Sequence, residues 1–570
     1  MREVRAFFVC AGLLCLALLL PRPVAAAWPT DPTLNVPLCT TANLRESPTI
    51  TSDGAGGAIV IWQDYRNGND FDIYAQRISA AGAVLWTADG VALCTASGDQ
   101  GGQTITSDGA GGAIVTWRDY RSDSTWDMYA QRISAAGAIL WTADGVALCT
   151  AGGDQIDPAI VSDSAGGAVV TWGDYRSGST WDMYAQRISA AGAVLWTADG
   201  VALCTAGGDQ WAPASVADGG GGAIVTWYDS RGGNDDIYTQ HISADGTVPW
   251  TTDGVALCTA TGTQNGPTAV SDGAGGAIVA WEDGRSGGSY DIYTQRISAA
   301  GEVPWTADGV ALCTATNWQA SPVITSDGAG GAIVTWYDSR SDNDDIYAQR
   351  VSTDGTVQWT TDGVALCTAT GTQYIPTITS DGADGAIVIW QDYRDGNDFD
   401  IYAQRISAAG TVQWPADGVA LCTASGDQGG PTVTSDGAGG VIVAWQDYRN
   451  GDDSDIYAQW VRANGELGGD APVDVPQGGA PLDFALDPVR PNPTRGGALT
   501  VRFTLASAAA ASLELLDVSG RRIAGREVGS LGAGQHALSL DEGQHLTPGL
   551  YLVRLNRGAT SRTTRVAVLR

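Results

Sequence analysis

The chain has 570 residues and a formal net charge of −32, and apart from three histidines every basic side chain is arginine. That excess of negative charge repels phosphate backbones and anionic headgroups, which argues against nucleic acid or a lipid surface as a partner. The 76 glycines suit a chain of many tight turns, and the length exceeds what one small core can organise.

Residues 1–27 read as an export signal. Arg2 and Arg5 give a basic start, Ala6 to Leu20 is an apolar run too short to span a bilayer comfortably, and Ala25-Ala26-Ala27 offers a cleavage site. Neither Cys10 nor Cys15 follows a small residue, which argues against a lipoprotein signal. No later segment is apolar enough to cross a membrane, so the mature chain is expected to carry no transmembrane segment.

Residues 28–466 repeat one unit. A tryptophan recurs at Trp62, Trp117, Trp172, Trp227, Trp281, Trp336, Trp390 and Trp445, spaced by 54 or 55 residues, within S-D-G-A-G-G-A-I-V-x-W-x-D-x-R. D-I-Y-A-Q-R-I-S-A-A-G and W-T-A-D-G-V-A-L-C-T-A follow. A period of this length indicates a solenoid, an array or a propeller. In the first full repeat strand A is expected near Pro48–Ser52, strand B at Ala58–Asp64, strand C at Asp72–Ser79, and strand D from about Val84 to Cys94 with a break at Asp89-Gly90. The strands are β-branched and aromatic, and glycine interrupts every possible helix. Four short strands per unit make a propeller blade, so the expected fold is all-β: an eight-bladed β-propeller followed by a small Ig-like β-sandwich. The eighth repeat lacks strand D, and Trp28 with Val36-Pro37-Leu38-Cys39 resembles the missing piece. The N-terminal strand is therefore expected to complete the last blade and hide two sheet edges.

Beyond the signal each unit has one cysteine, from Cys39 to Cys422, always 23 residues before the tryptophan. An even count in an exported chain suggests disulfides, but equivalent positions on separate sheets would need Cα atoms within about 7 Å to bridge, so buried free thiols are expected.

Polar residues also recur in register. Asp64, Asp119 and Asp174 follow the tryptophan by two, arginine follows by two more, and strand C opens on Asp72, Asp127 and Asp182. One expectation is Asp–Arg pairing at each B–C loop. The other makes Asp64, Asp72, Asp119, Asp127, Asp174 and Asp182 calcium ligands, one ion per blade, although no EF-hand-like pattern is present.

Because strand direction alternates, the A–B and C–D turns share one rim, while the B–C loops and D–A links share the other. The first rim is monotonous. The second carries Phe71, Trp126, Trp181, Tyr290 and Phe399 in its B–C loops, and Trp211, Trp318 and Tyr374 in its D–A links. Such aromatics would stack on sugar rings or anchor a protein partner, which makes this rim the expected ligand face. Catalysis has little material. His241, His536 and His545 are the only histidines, and the carboxylates repeat eightfold where a reaction needs one asymmetric site. The expected role is secreted or cell-surface binding or adhesion toward glycan or protein. The alternatives are a secreted carbohydrate-active enzyme of the glycoside-hydrolase kind, or a purely structural surface protein. The units resemble extracellular W-x-D-x-R/D-I-Y-A-Q-R repeat proteins, a resemblance that implies no activity.

Residues 467–484, rich in Gly, Pro and Ala, read as a linker. Residues 485–570 alternate as a small β-sandwich, for example Leu499-Thr500-Val501-Arg502-Phe503. Pro491-Asn492-Pro493, then Asp517 and Gly520 in L-D-V-S-G-R, then Gly549 and Tyr551 in L-T-P-G-L-Y resemble the type A C-terminal sorting domain of the type IX secretion system and the FlgD-like immunoglobulin fold. The resemblance implies contact with that secretion machinery and a secreted or outer-membrane-surface destination in a Gram-negative bacterium.

Overall fold

The computed structural model describes residues 28–469 except 342 and 452, and beyond them 485–486, 494–495, 500–505, 511–518, 521–528, 534–539, 547, 549–557 and 560–569. The expected export signal, most of the linker, and Pro491, Asn492, Pro493 and Gly520 lie outside the described residues. The chain divides into two compact units, Met1–Ala471 and Pro472–Arg570.

The first unit holds eight four-stranded antiparallel sheets. In the first, strands A to D are Arg45–Ser52, Ala58–Asp64, Asp72–Ile78 and Val91–Cys94. Strand B is apolar from Ala58 to Trp62, all fully buried, because a neighbouring blade covers each of its faces. The core accordingly consists of layers between blades. Ile59, Ile61 and Ile73 of blade 1 pack against Ala113, Val115 and Trp117 of blade 2, and the same arrangement recurs around the ring.

Strand A of each blade neighbours strand A of the next, and Arg45–Ser52 neighbours Gln428–Ser435, so the ring closes. The last sheet runs Val36–Cys39, Asp455–Val461, Val441–Asp447, Gln428–Ser435: the N-terminal strand supplies its strand D. Trp28 is buried and gives its indole N–H to Ala80 O at 2.9 Å, as Trp86 gives its own to Ala135 O at 3.1 Å. The extra residues between Trp28 and Cys39 are taken up by a turn in which Leu34 N donates to Asp31 O.

Two expected boundaries change. Strand A begins at Arg45, before a bulge that breaks its pairing between Glu46 and Thr49. Strand D is only Val91–Cys94; from Val84 to Gly90 the chain makes one isolated bridge, Ile78 to Val84, and then bends. The bend has a steric cause. Gly90 has φ +94°, and a Cβ there would lie 2.7 Å from the Trp62 ring. The S-D-G-A-G-G turn is likewise explained: Asp53 Oδ1 accepts from Ala55 N and Gly57 N at 2.8 Å each, and a Cβ on Gly57 would sit 2.3 Å from Ile78 O.

The second unit holds a three-stranded sheet (Ala485–Leu486, Thr500–Leu505, Gly534–Ser539) and a five-stranded sheet ordered Thr494–Arg495, Thr560–Leu569, Gly549–Arg557, Ser512–Asp517, Arg522–Glu527. Val501 and Phe503 of one sheet share a core with Leu513, Leu515, Val553 and Val566 of the other. Tyr551 gives its hydroxyl proton to Thr547 O at 2.7 Å, and Asp517 Oδ1 accepts from Arg521 N, so both motif residues fasten turns.

Candidate functional site on the variable rim

Each blade is fastened at the B–C loop by one buried network. In blade 2, Asp119 Oδ2 accepts from the Trp117 indole at 2.8 Å and from Arg121 Nη2 at 2.6 Å, while Oδ1 accepts Arg121 N at 3.0 Å and Nε at 2.8 Å. Arg121 also donates to Asp144 O at 2.7 Å and lies 3.8 Å over the Tyr129 ring. Cys94 Sγ sits 3.7 Å from the same carboxylate. Burial pushes that thiol up to about 12. The eight cysteines are free and buried.

This geometry corrects the calcium reading of Asp64, Asp119 and Asp174. All three are fully buried, and in each both oxygens are taken by the arginine and the indole, leaving no lone pairs directed at an ion. Asp72, Asp127 and Asp182 sit opposite them across the B–C strand pair. Burial, then the charge of neighbouring carboxylates, pushes Asp72 up to about 7 and Asp127 and Asp182 up to about 6. Among the described residues no three His, Cys, Asp or Glu side chains converge to hold a metal ion.

The B–C loops and D–A links do meet on one rim. Phe71 N donates to Asp99 Oδ1 at 3.0 Å, and Gln100 N donates to Phe71 O at 2.7 Å; Trp126, Trp181 and Phe399 repeat the first bond with Asp154, Asp209 and Asp427. The aromatics form separate groups. Phe71 packs on Tyr65 and Trp126 on Tyr120, each within its own blade. Across seams, Trp181 and Trp211 have ring centroids 4.9 Å apart, Tyr290 and Trp318 5.1 Å, and Tyr337 and Tyr374 5.7 Å, while Tyr374 also meets Phe399 of its own blade at 6.2 Å. Trp318 is 50% exposed.

The structure adds two sets of rim positions that hydrophobic patterning missed. At several seams the residue after the blade tryptophan bonds the next blade's strand A: Gln63 donates to Gln100 O at 3.3 Å, Glu282 accepts from Ser321 N at 2.7 Å, and Gln446 donates to Arg45 O at 3.2 Å. The third residue of strand A is left-handed in every blade, with φ +54° at Ser47, +51° at Asp157, +49° at Ala212, +52° at Ser321 and +50° at Ile375, and glycine at the other three. A side chain there costs about 1 kcal/mol, and strain of this kind gathers at functional sites. The available signal was variation among otherwise near-identical copies: the residue after the tryptophan is Gln, Arg, Gly, Tyr, Glu, Tyr, Gln and Gln in turn.

The chain is similar to solved structures at low identity. A Dyadobacter fermentans protein of unknown function is 10% identical, with 75% of this chain and 98% of that one covered and a TM-score of 0.37. A polysaccharide lyase, an ulvan lyase, is 12% identical, with coverage of 64% and 92% and a TM-score of 0.40. An α-L-arabinanase of Penicillium chrysogenum is 13% identical, with coverage of 56% and 93% and a TM-score of 0.30. No curated protein matches the chain. No helix among the described residues is long and apolar enough to cross a membrane. Residues 489–569 match the secretion system C-terminal sorting domain, so this end of the chain is a type IX sorting domain and the protein is directed to secretion or to the outer-membrane surface.

Proposed function

We propose that the propeller is a secreted or surface-held binding module that takes glycan through the rim of B–C loops and D–A links, with Phe71, Trp126, Trp181, Trp211, Tyr290, Trp318, Tyr374 and Phe399 as its contact residues. One observation carries this reading. Eight copies stay nearly identical in their cores and on the S-D-G-A-G-G rim, yet differ at the rim positions around these aromatics. A rigid scaffold with variable loops is the usual arrangement for recognition. Rings held in place yet still partly exposed suit the C–H face of a pyranose, and the flanking Asp, Asn and Gln suit its hydroxyls.

The test is a glycan-array screen of the full chain beside a Trp181→Ala/Trp211→Ala/Trp318→Ala variant. Saturable binding that falls at least about tenfold in the variant, a loss of roughly 1.4 kcal/mol, supports the reading. Binding that the variant retains in full, or no binding to any glycan, overturns it. Release of new sugar ends from a bound glycan would instead favour the enzyme alternative.

A further inference from the structure

The variable positions of the rim are not neutral in charge. Taking the second and third residues of strand A, the residue after the tryptophan, the residue two beyond that and the residue before strand C, the acidic members are Glu46, Asp157, Asp235, Glu282 and Asp344, against one cation, Arg118. Arg118 lies 4.7 Å over the Trp126 ring on blade 2, away from the seam between blades 5 and 6.

At that seam an open aromatic edge, a carboxylate and an orphaned acceptor come together. Glu282 is the only carboxylate among the eight residues that follow the blade tryptophans. It is half-buried, and one oxygen accepts from Ser321 N at 2.7 Å. Its cross-strand neighbour is Asn265, whose Nδ2 donates to Tyr290 Oη at 3.3 Å and whose buried Oδ1 has no hydrogen-bond partner. Tyr290 meets Trp318 edge to face at 5.1 Å, and Trp318 is half exposed. Gly266, left-handed at φ +56°, leaves room beside the carboxylate: a Cβ there would lie 3.8 Å from Glu282 Oε1. Burial raises the carboxyl pKa of Glu282, and burial, then the charge of Glu282, raises the phenol pKa of Tyr337 on the next blade. A buried acceptor without a donor costs about 1–3 kcal/mol, and a carboxylate beside it calls for a cationic donor.

Resting on the rim reading above, we propose that the seam between blades 5 and 6 selects a sugar carrying a protonated primary amine, with Glu282 and Asn265 Oδ1 receiving the ammonium and Trp318 and Tyr290 holding the ring. The full chain is titrated by calorimetry with a β-1,4-linked glucosamine oligomer, with its N-acetylated form, with the glucose oligomer of the same length, and with a lysine peptide of matched charge. The glucosamine oligomer is expected to bind about tenfold or more tightly than either neutral sugar. Glu282→Gln is expected to erase that preference and leave the neutral sugars unchanged. This variant keeps an acceptor for Ser321 N and places glutamine where blades 1, 7 and 8 already have Gln63, Gln391 and Gln446, so it preserves the fold. Equal binding of the neutral sugars, a preference that survives Glu282→Gln, tighter binding of the lysine peptide, or no binding of any of these sugars overturns the proposal. Equal affinity for the glucosamine and neutral oligomers, lost in the triple tryptophan variant, removes the amine inference and leaves the rim reading standing; sugar binding that the triple variant leaves intact removes the rim reading itself.

Discussion

At the scale of single residues, the chain places its acids in two contrasting settings a few ångströms apart. Asp119 is fully buried and meets a guanidinium, an indole and a backbone N–H. Removing the charge leaves Arg121 partly buried without its counter-ion, so Asp119→Ala is expected to cost about 3 kcal/mol in chemical denaturation. Asp127, which opens strand C across from it, is buried without such a partner and is pushed up to about 6. The same holds for Asp182 and Asp236 at about 6, and for Asp72 and Asp400 at about 7. The native state therefore holds these protons more tightly than the unfolded chain, whose aspartates titrate near 3.8. Their contribution to stability is full below the unfolded value and declines as pH rises through the folded ones, from about 4 to about 7. Melting temperatures across that window should show the decline, and Asp127→Asn should flatten it. The buried thiols, raised to about 12 at Cys94, Cys149 and Cys204, should resist maleimide at neutral pH in the native state and react in denaturant.

At the scale of elements, neighbouring blades are tied across the monotonous first rim as well. Arg77 pairs with Asp53 at 2.8 Å in its own blade and donates to Ala135 O of the next at 2.6 Å, the same carbonyl that Trp86 uses. Blade 4 departs from this. His241 keeps the pair, 2.9 Å from Asp218, but an imidazole is too short to reach the next blade, and the Trp250 bond to Ala299 O lengthens to 3.4 Å. His241→Arg is therefore expected to stabilise the propeller by about 1 kcal/mol, read as a higher melting temperature; no change would mean that the inter-blade bond contributes nothing. Strands A, B and C were legible because their alternation and their β-branched residues follow from local chemistry. The shortness of strand D was not, because the bend at Gly90 comes from a tryptophan of the same blade folding over it. The strand A bulge was equally hidden: Ser47, Asp157 and Ile375 have nothing in common except the backbone they occupy.

At the scale of the whole molecule, closure of the ring is the decisive contact. Strand Val36–Cys39 pairs with Asp455–Val461, and Asn35 bridges Leu421 O and Arg449 at 2.9 and 2.7 Å. Where the other seven blades begin strand A with glutamine, blade 1 begins with Arg45, which is fully buried and 3.1 Å from Asp455. Arg45→Met should strand that carboxylate and cost about 3 kcal/mol. Deleting 28–39 should expose the edge of Asp455–Val461 and convert a monodisperse protein to aggregates in light scattering. The repeat text by itself determined the four-stranded unit, its eightfold recurrence and the split strand D, because each rests on local periodicity and on residue types that recur at fixed spacing, while the sorting domain was legible through the motifs it shares with its family. Only the tertiary structure decided which carboxylates are saturated by arginine, which aromatics meet across a seam, and that Glu282, Asn265, Tyr290 and Trp318 share one. Those contacts join residues of different blades, and no pattern within a single repeat records who its neighbour will be.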